Sequence, residues 1–220
     1  MNHAVLQNVS DNRLTLVFLG WGMDARCLAR MSLPRGGVVA FWNYADLSSF
    51  DAQLAQSGIS IVGLHVDVVA WSMGVWAAES IVQSHAWLRS GRLVAFCGSP
   101  RPVDDNFGIP SQTVLATAQN WSERSRTKFN LRMFGGKKAL DLNADLLPDR
   151  DVDDQRNELL SIIRQSQSPT PEQPLVWSEV FIGADDAIFP MDNLIRYWQP
   201  HSEIWHVDPT PHFHHNLFLS

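Results

Sequence analysis

The chain has little of several things, and each shortage removes a class of protein. Only two cysteines occur in 220 residues, Cys27 and Cys97, so no disulfide framework is expected and a reducing, cytoplasmic setting fits. No apolar run approaches the roughly 18–20 residues needed to span a bilayer, which speaks against a membrane protein. Met1 to Arg13 is mixed and polar, unlike the apolar segment of a signal peptide. Positive charge is in deficit, with a formal net charge of −6, and general nucleic-acid binding is not expected. Charged residues make up 18% and hydrophobic residues 45%, the balance of a globular chain rather than a disordered one. There is no internal repeat and no sign of a second core, so residues 1–220 read as one domain, expected to be a monomer.

The cationic residues that are present cluster. Between Gln119 and Leu140 lie Arg124, Arg126, Lys128, Arg132, Lys137 and Lys138 against one acid, Glu123. This stretch carries +5 and leaves −11 for the rest of the chain. A basic patch on an acidic protein suits an acidic partner; a solvated helix face that happens to be basic accounts for it equally well.

Six short apolar runs read as strands: Leu14–Leu19, Val38–Phe41, Val66–Trp71, Leu93–Cys97, Val176–Ile182 and Glu203–Val207. Helical spacing over Gly74–His85 and Asp192–Trp198 falls between them. Apolar strands alternating with helices predict an α/β fold, a mostly parallel six-stranded sheet covered on both faces. Residues 106–174 break the rhythm. They offer helical patterns at Val114–Met133 and Val152–Arg164, then a polar, proline-rich Gln165–Pro174 that reads as a loop, and together suggest a helical lid or binding insertion.

Ala70-Trp71-Ser72-Met73-Gly74 sits where the third run must turn into a helix. It fits the small-x-Ser-x-small pattern of a nucleophile elbow, in which a strained serine stands at the carboxyl edge of a sheet. Small residues are required on both sides because strand and helix approach closely there. A serine that merely caps the helix is the plainer alternative. Gly20-Trp21-Gly22 follows the first run, where such folds place one oxyanion donor, and nominates the backbone N–H groups of Trp21 and Met73. Asp186 follows the fifth run and His212 the sixth, which completes the chain order Ser…Asp…His of that architecture. His212 would act as base and Asp186 would orient it. Asp185, and Asp104 or Asp105 after the fourth run, are competing acids. His212, His214 and His215 could be read as a metal cluster, but no carboxylate lies at ligand spacing beside them. No metal or cofactor is expected. Nine tryptophans and eleven phenylalanines suit a core, with Trp21 the one assigned to substrate.

The motifs LGWGMD (19–24), AWSMGVWAAE (70–79), PRPVDDNFGIP (100–110), IGADDAIFP (182–190) and PHFHH (211–215) occur in order over most of the chain. Together they resemble the BioG-type pimeloyl-[acyl-carrier protein] methyl ester esterases of biotin synthesis, and more distantly the BioH type. The resemblance implies an α/β-hydrolase that removes the methyl group from a pimeloyl chain carried on acyl carrier protein. It implies the triad Ser72, Asp186 and His212 and oxyanion amides at Trp21 and Met73. It also implies carrier docking on basic residues of the inserted segment, where Arg124 and Lys128 match and Arg126 and Arg132 lie close by. Phe129 to Met133 would line the acyl channel, so Trp21, Phe129 and Met133 are the expected substrate contacts. Two departures stand out: Leu19-Gly20 replaces the common His-Gly, and His214-His215 stands where Pro-Phe is usual. On the same triad, a less specific carboxylesterase or thioesterase is the alternative enzyme, and a non-catalytic acyl-binding protein the alternative of another class.

Overall fold

The computed structural model describes residues 1–167, 175–202 and 204–214. Seven strands form one sheet: β1 (Asn2–Gln7), β2 (Arg13–Phe18), β3 (Gly37–Trp42), β4 (His65–Trp71), β5 (Leu93–Phe96), β6 (Glu179–Gly183) and β7 (Trp205–Asp208). Their order is β1-β3-β2-β4-β5-β6-β7, with β1 antiparallel to β3 and every other pairing parallel. The expected six strands are therefore seven. The additional one, β1, is a half-buried edge strand of mixed composition, and a strand covered so lightly shows no apolar run.

The apolar runs lack alternation because both faces of the central strands are buried. Leu14, Leu16 and Phe18 of β2 enter one core cluster, with Val39, Phe41, Val68 and Ala70. Val17 and Leu19 enter the cluster on the opposite face, with Val38, Ala40, Trp71 and Val94. The sixth and seventh strands start later than expected. Trp177 makes only an isolated bridge to Ser202, and Glu203 lies outside the described residues.

Helices α1 (Phe50–Gln56), α2 (Gly74–Ser84) and α7 (Met191–Trp198) follow β3, β4 and β6. Between β5 and β6 lie α3 (Ser111–Gln119), α4 (Glu123–Met133), α5 (Lys137–Leu142) and α6 (Val152–Gln165). The single helical pattern at Val114–Met133 is broken at Asn120–Ser122. Ser122 caps α4 in a reciprocal capping box with Ser125, a local bond that outcompetes continuation of α3. Of the proline-rich Gln165–Pro174 loop, residues 168–174 lie outside the described residues, as does His215. Among the described residues no helix is long and apolar enough to cross a membrane.

Candidate active site

Parallel strands deliver their following loops to one edge of the sheet. The chain runs from β2 outward to β3, then crosses to β4 on the other side of β2, so β2 and β4 flank the point where strand order reverses. Crevices at such points hold ligands in open α/β sheets. The Gly20-Trp21-Gly22 loop leaves β2 there, and Ser72 leaves β4.

Ser72 has φ 60°, in the left-handed region that a residue with a side chain rarely occupies. The tight turn also constrains its neighbours. A Cβ on Gly74 would lie 2.4 Å from the Phe18 carbonyl oxygen, so nothing larger than glycine fits there. Ala70 is fully buried opposite Phe18 on one side and Ala95 on the other, and its methyl group is accommodated where the pattern more often has glycine.

The three predicted side chains form one chain of hydrogen bonds. His212 Nε2 lies 2.9 Å from Ser72 Oγ, and His212 Nδ1 lies 2.7 Å from Asp186 Oδ2. The other carboxylate oxygen of Asp186 accepts the N–H groups of Ile188 (2.7 Å) and Phe189 (3.0 Å). The side chains of His212 and Asp186 are 1% and 0% exposed, which shields the pair from water. Phe189 stacks on the imidazole, and the Trp71 indole N–H donates to the His212 carbonyl. Among the described residues none of the competing acids bonds to His212. Asp185 is exposed, Asp104 accepts the N–H groups of Asn106 and Phe107, and Asp105 accepts that of Ser111 at the start of α3.

The Trp21 and Met73 amides donate to no acceptor among the described residues, which leaves both N–H groups available. Their loops are in contact, since a Cβ on Gly20 would lie 3.2 Å from that of Ser72. Around Ser72 and His212 a cleft of about 550 Å³, open mouth included, is lined by Trp21, Phe129, Arg132, Met133 and Leu159. Trp21, Trp121 and Phe129 form one aromatic wall, with ring centroids 4.5–5.7 Å apart.

The basic residues divide. Arg124 and Lys128 are exposed on α4, and Arg132 stands at the cleft. Arg126 turns inward instead, donating to the Arg150 carbonyl (2.8 Å) and pairing with Glu123. Among the described residues it is the one of the four expected docking residues whose guanidinium is bonded within the chain, where it braces α4.

Sequence reasoning missed a buried ionic group on the far side of Trp21. Glu158 is wholly buried, accepting from the N–H groups of Gly22 (3.1 Å) and Tyr44 (2.9 Å) and from Arg150 Nη1 (2.7 Å). Burial pushes the Glu158 carboxyl up, against the pull of Arg150 and of the two backbone donors. Burial alone would lower the Arg150 guanidinium, but Glu158 and Asp154 more than reverse this and raise it. A signal was present: Gln155 and Glu158 share the helical stripe of Leu159 and Ile162, polar residues on a buried face.

Cys97 Sγ, an Asp186 oxygen and a His212 nitrogen lie within 4.8 Å of one another. Burial, followed by the charge of Asp186, pushes the Cys97 thiol well up, and the histidine nitrogen is already bonded to the carboxylate. A protonated thiol and a committed imidazole make this a hydrogen-bonded cluster and a poor metal site.

This sheet, with its serine elbow and buried histidine and carboxylate at the strand ends, is that of an α/β-hydrolase. The chain belongs to the BioG family, whose model, described as pimeloyl-ACP methyl esterase, matches residues 1–219. The crystal structure of BioG from Haemophilus influenzae is similar with a TM-score of 0.85 and 27% identity, covering 99% of this chain and 96% of that one. A protein of Bacteroides fragilis named malonyl-[acyl-carrier protein] O-methyltransferase is 35% identical over 88% of this chain; the chain spans 38% of that protein's length. A lipase-esterase related protein from Clostridium acetobutylicum shares the fold alone, with a TM-score of 0.64, 12% identity and coverage of 99% and 93%.

Proposed function

We propose that this hydrolase is a serine esterase that removes the methyl group from pimeloyl-[acyl-carrier protein] methyl ester in biotin synthesis. The observation that carries the reading is the unbroken chain Ser72–His212–Asp186, opening into an apolar cleft, in a member of the BioG family. In the first step Ser72 Oγ attacks the ester carbonyl as His212 Nε2 takes its proton. The N–H groups of Trp21 and Met73 hold the oxygen that becomes negative. The positive end of α2 points at the same place. Collapse expels methoxide, which leaves as methanol with the proton from His212. Water, deprotonated by His212, then attacks the acyl-serine and releases the free carboxylate. Asp186 holds the imidazole so that Nε2 is the basic nitrogen throughout.

The cleft wall of Trp21, Phe129 and Met133 would take the methylene chain, with residues 106–174 acting as the lid over it within a single domain. Arg124, Lys128 and Arg132 would receive the acidic carrier at the mouth. The methyltransferase name of the Bacteroides fragilis relative supports this chemistry, because O-methylation of a carrier-bound malonyl group creates the class of ester that this site would cleave. A monomer working in the cytoplasm completes the reading.

The test is hydrolysis of pimeloyl-[acyl-carrier protein] methyl ester, followed by methanol release and by the mass of the carrier. Loss of one methyl group with the thioester intact is expected, as is growth of a biotin auxotroph lacking its methyl ester esterase. Cleavage at the thioester, or no preference for the carrier-bound ester over free dimethyl pimelate, would overturn the assignment.

A further inference from the structure

Helix α6 grips the loop that carries the Trp21 amide. The Trp21 indole N–H donates to the Gln155 carbonyl (2.8 Å) and the Gly22 N–H to Glu158 Oε2 (3.1 Å). Gln155 Nε2 donates to the Gly22 carbonyl (2.8 Å), and Arg150 Nη1 to that of Met23 (3.1 Å). Four hydrogen bonds on three consecutive residues thus run to residues 150–158. Bonds from the sheet region stop two residues earlier, at Leu19, whose N–H and carbonyl are met by Phe41 and Tyr44. Gly22 has φ 75°, so the loop is built around its most permissive residue and depends on external contacts for its shape.

A buried carboxylate is costly, and an apolar residue would cover the sheet edge with less penalty. Besides Arg150, the groups that Glu158 serves are the N–H of Gly22 and the N–H of Tyr44. Leu159, its neighbour in α6, lines the cleft beside Ser72. One helix therefore closes the substrate wall and holds the loop.

We propose that Glu158, with Gln155 and Arg150, is a positioning residue for ester hydrolysis, fixing the aim of the Trp21 N–H at the developing oxyanion. The inference rests on the serine-esterase reading. Donors of this kind accelerate reaction only when they are aimed in advance, and losing one outright typically costs about 10²–10³ in kcat. Loosening one costs a share of that.

The test compares Glu158→Gln and Gln155→Leu with Glu79→Gln. Glu79 is another buried glutamate that accepts from Trp177 Nε1 (2.7 Å) and the Leu175 N–H (3.0 Å) and does not line the cleft. Hydrolysis of p-nitrophenyl butyrate and thermal midpoints are measured for all three. Glu158→Gln should lose roughly 10- to 100-fold in kcat and Gln155→Leu roughly 3- to 30-fold, with KM within about twofold. Glu79→Gln should lower the midpoint and leave kcat within about twofold. If Glu158→Gln does not fold, Gln155→Leu decides, because it leaves the buried ion pair intact. Unchanged kcat in the α6 variants, or a loss through KM alone, overturns the inference. A wild-type protein that neither turns over the ester nor labels at Ser72 with a fluorophosphonate defeats the serine-esterase reading instead.

Discussion

Replacing Asp186 with asparagine probes the site most sharply, because the structure dictates which way the new amide must point. The Oδ1 position receives two backbone N–H groups, from Ile188 and Phe189, at 2.7 and 3.0 Å. An asparagine with its NH2 there would set donor against donor in a pocket where the native side chain is 0% exposed. Its oxygen must stay with those amides, so its NH2 faces His212 Nδ1 across the 2.7 Å contact. That nitrogen must then accept, and the ring proton moves to Nε2, which faces Ser72 Oγ. The base is blocked without any change in shape. A wrong tautomer of this kind costs about 10⁴ in kcat, or roughly 5.5 kcal/mol of transition-state stabilisation. Because every buried polar group keeps a partner, the thermal midpoint should move by only a few degrees and KM by little. The assay is steady-state hydrolysis of a small p-nitrophenyl ester, alongside a melting curve. Asp185→Asn, at an exposed position, should be nearly silent. An Asp186→Asn variant within tenfold of wild type, or a larger loss at Asp185, would refute the argument.

Ser72→Ala and His212→Ala should each reduce kcat by roughly 10⁴–10⁶, and the double variant should be no worse than the single ones, since the two act as a unit; a few percent of residual activity in Ser72→Ala would point to another nucleophile. Reversing Arg124 and Lys128 to glutamate should raise KM for a carrier-linked ester by roughly tenfold at low salt and leave a small free ester unaffected. Equal damage toward both substrates would mean that α4 itself was disturbed. Burial raises the thiols of Cys27 and Cys97, so neither should react with iodoacetamide at pH 8 until the chain is unfolded, as mass spectrometry would register. The same upward shifts set a sign for stability. Above the ordinary cysteine pKa of about 8.5 the unfolded chain gives up protons that the native thiols keep, so the urea midpoint should fall between pH 8 and 10. A midpoint that rises over this interval would contradict that linkage.

Much of the candidate site was legible in the chain because its parts are local. A strained serine needs small neighbours two residues away, and Ala70 and Gly74 supply them whatever the rest of the fold does. Acid and base need only to follow parallel strands, so the positions of Asp186 and His212 are set by the strand count. What stayed hidden depends on long-range contact. β1 is covered too lightly to show an apolar pattern, and the break between α3 and α4 hangs on one side-chain cap at Ser122. The inward turn of Arg126 is invisible without Arg150, 24 residues away. Glu158 is the instructive case: its place on the apolar stripe of α6 marks it as buried, but what it bonds depends on the Gly22 and Tyr44 backbone, more than 110 residues away.

The anchoring of the site bears on how substrate can enter. Ser72 and Asp186 are held by the sheet and its own turns, but the other two parts are tied to the inserted segment. The Phe213 N–H donates to the Met133 carbonyl (2.9 Å), and Pro211 packs over Gly135, so the loop of the base rests on the end of α4. The Trp21 loop is bonded to α6 as described. A rigid swing of α3 to α6 away from the sheet would break these five hydrogen bonds together with others, among them those of the Tyr44 N–H to Glu158, of Ser161 Oγ to the Ala45 carbonyl and of the Asp149 N–H to Asp24. At about 1 kcal/mol each the five alone amount to roughly 5 kcal/mol before any apolar surface is exposed. It would also dismantle the proposed oxyanion hole and the seat of His212 at the moment substrate arrives. Entry by local rearrangement of the side chains around Phe129 and Arg132 at the mouth avoids that cost. It leaves the two N–H groups aimed before a substrate reaches Ser72, which is the condition under which such donors would accelerate the proposed ester cleavage.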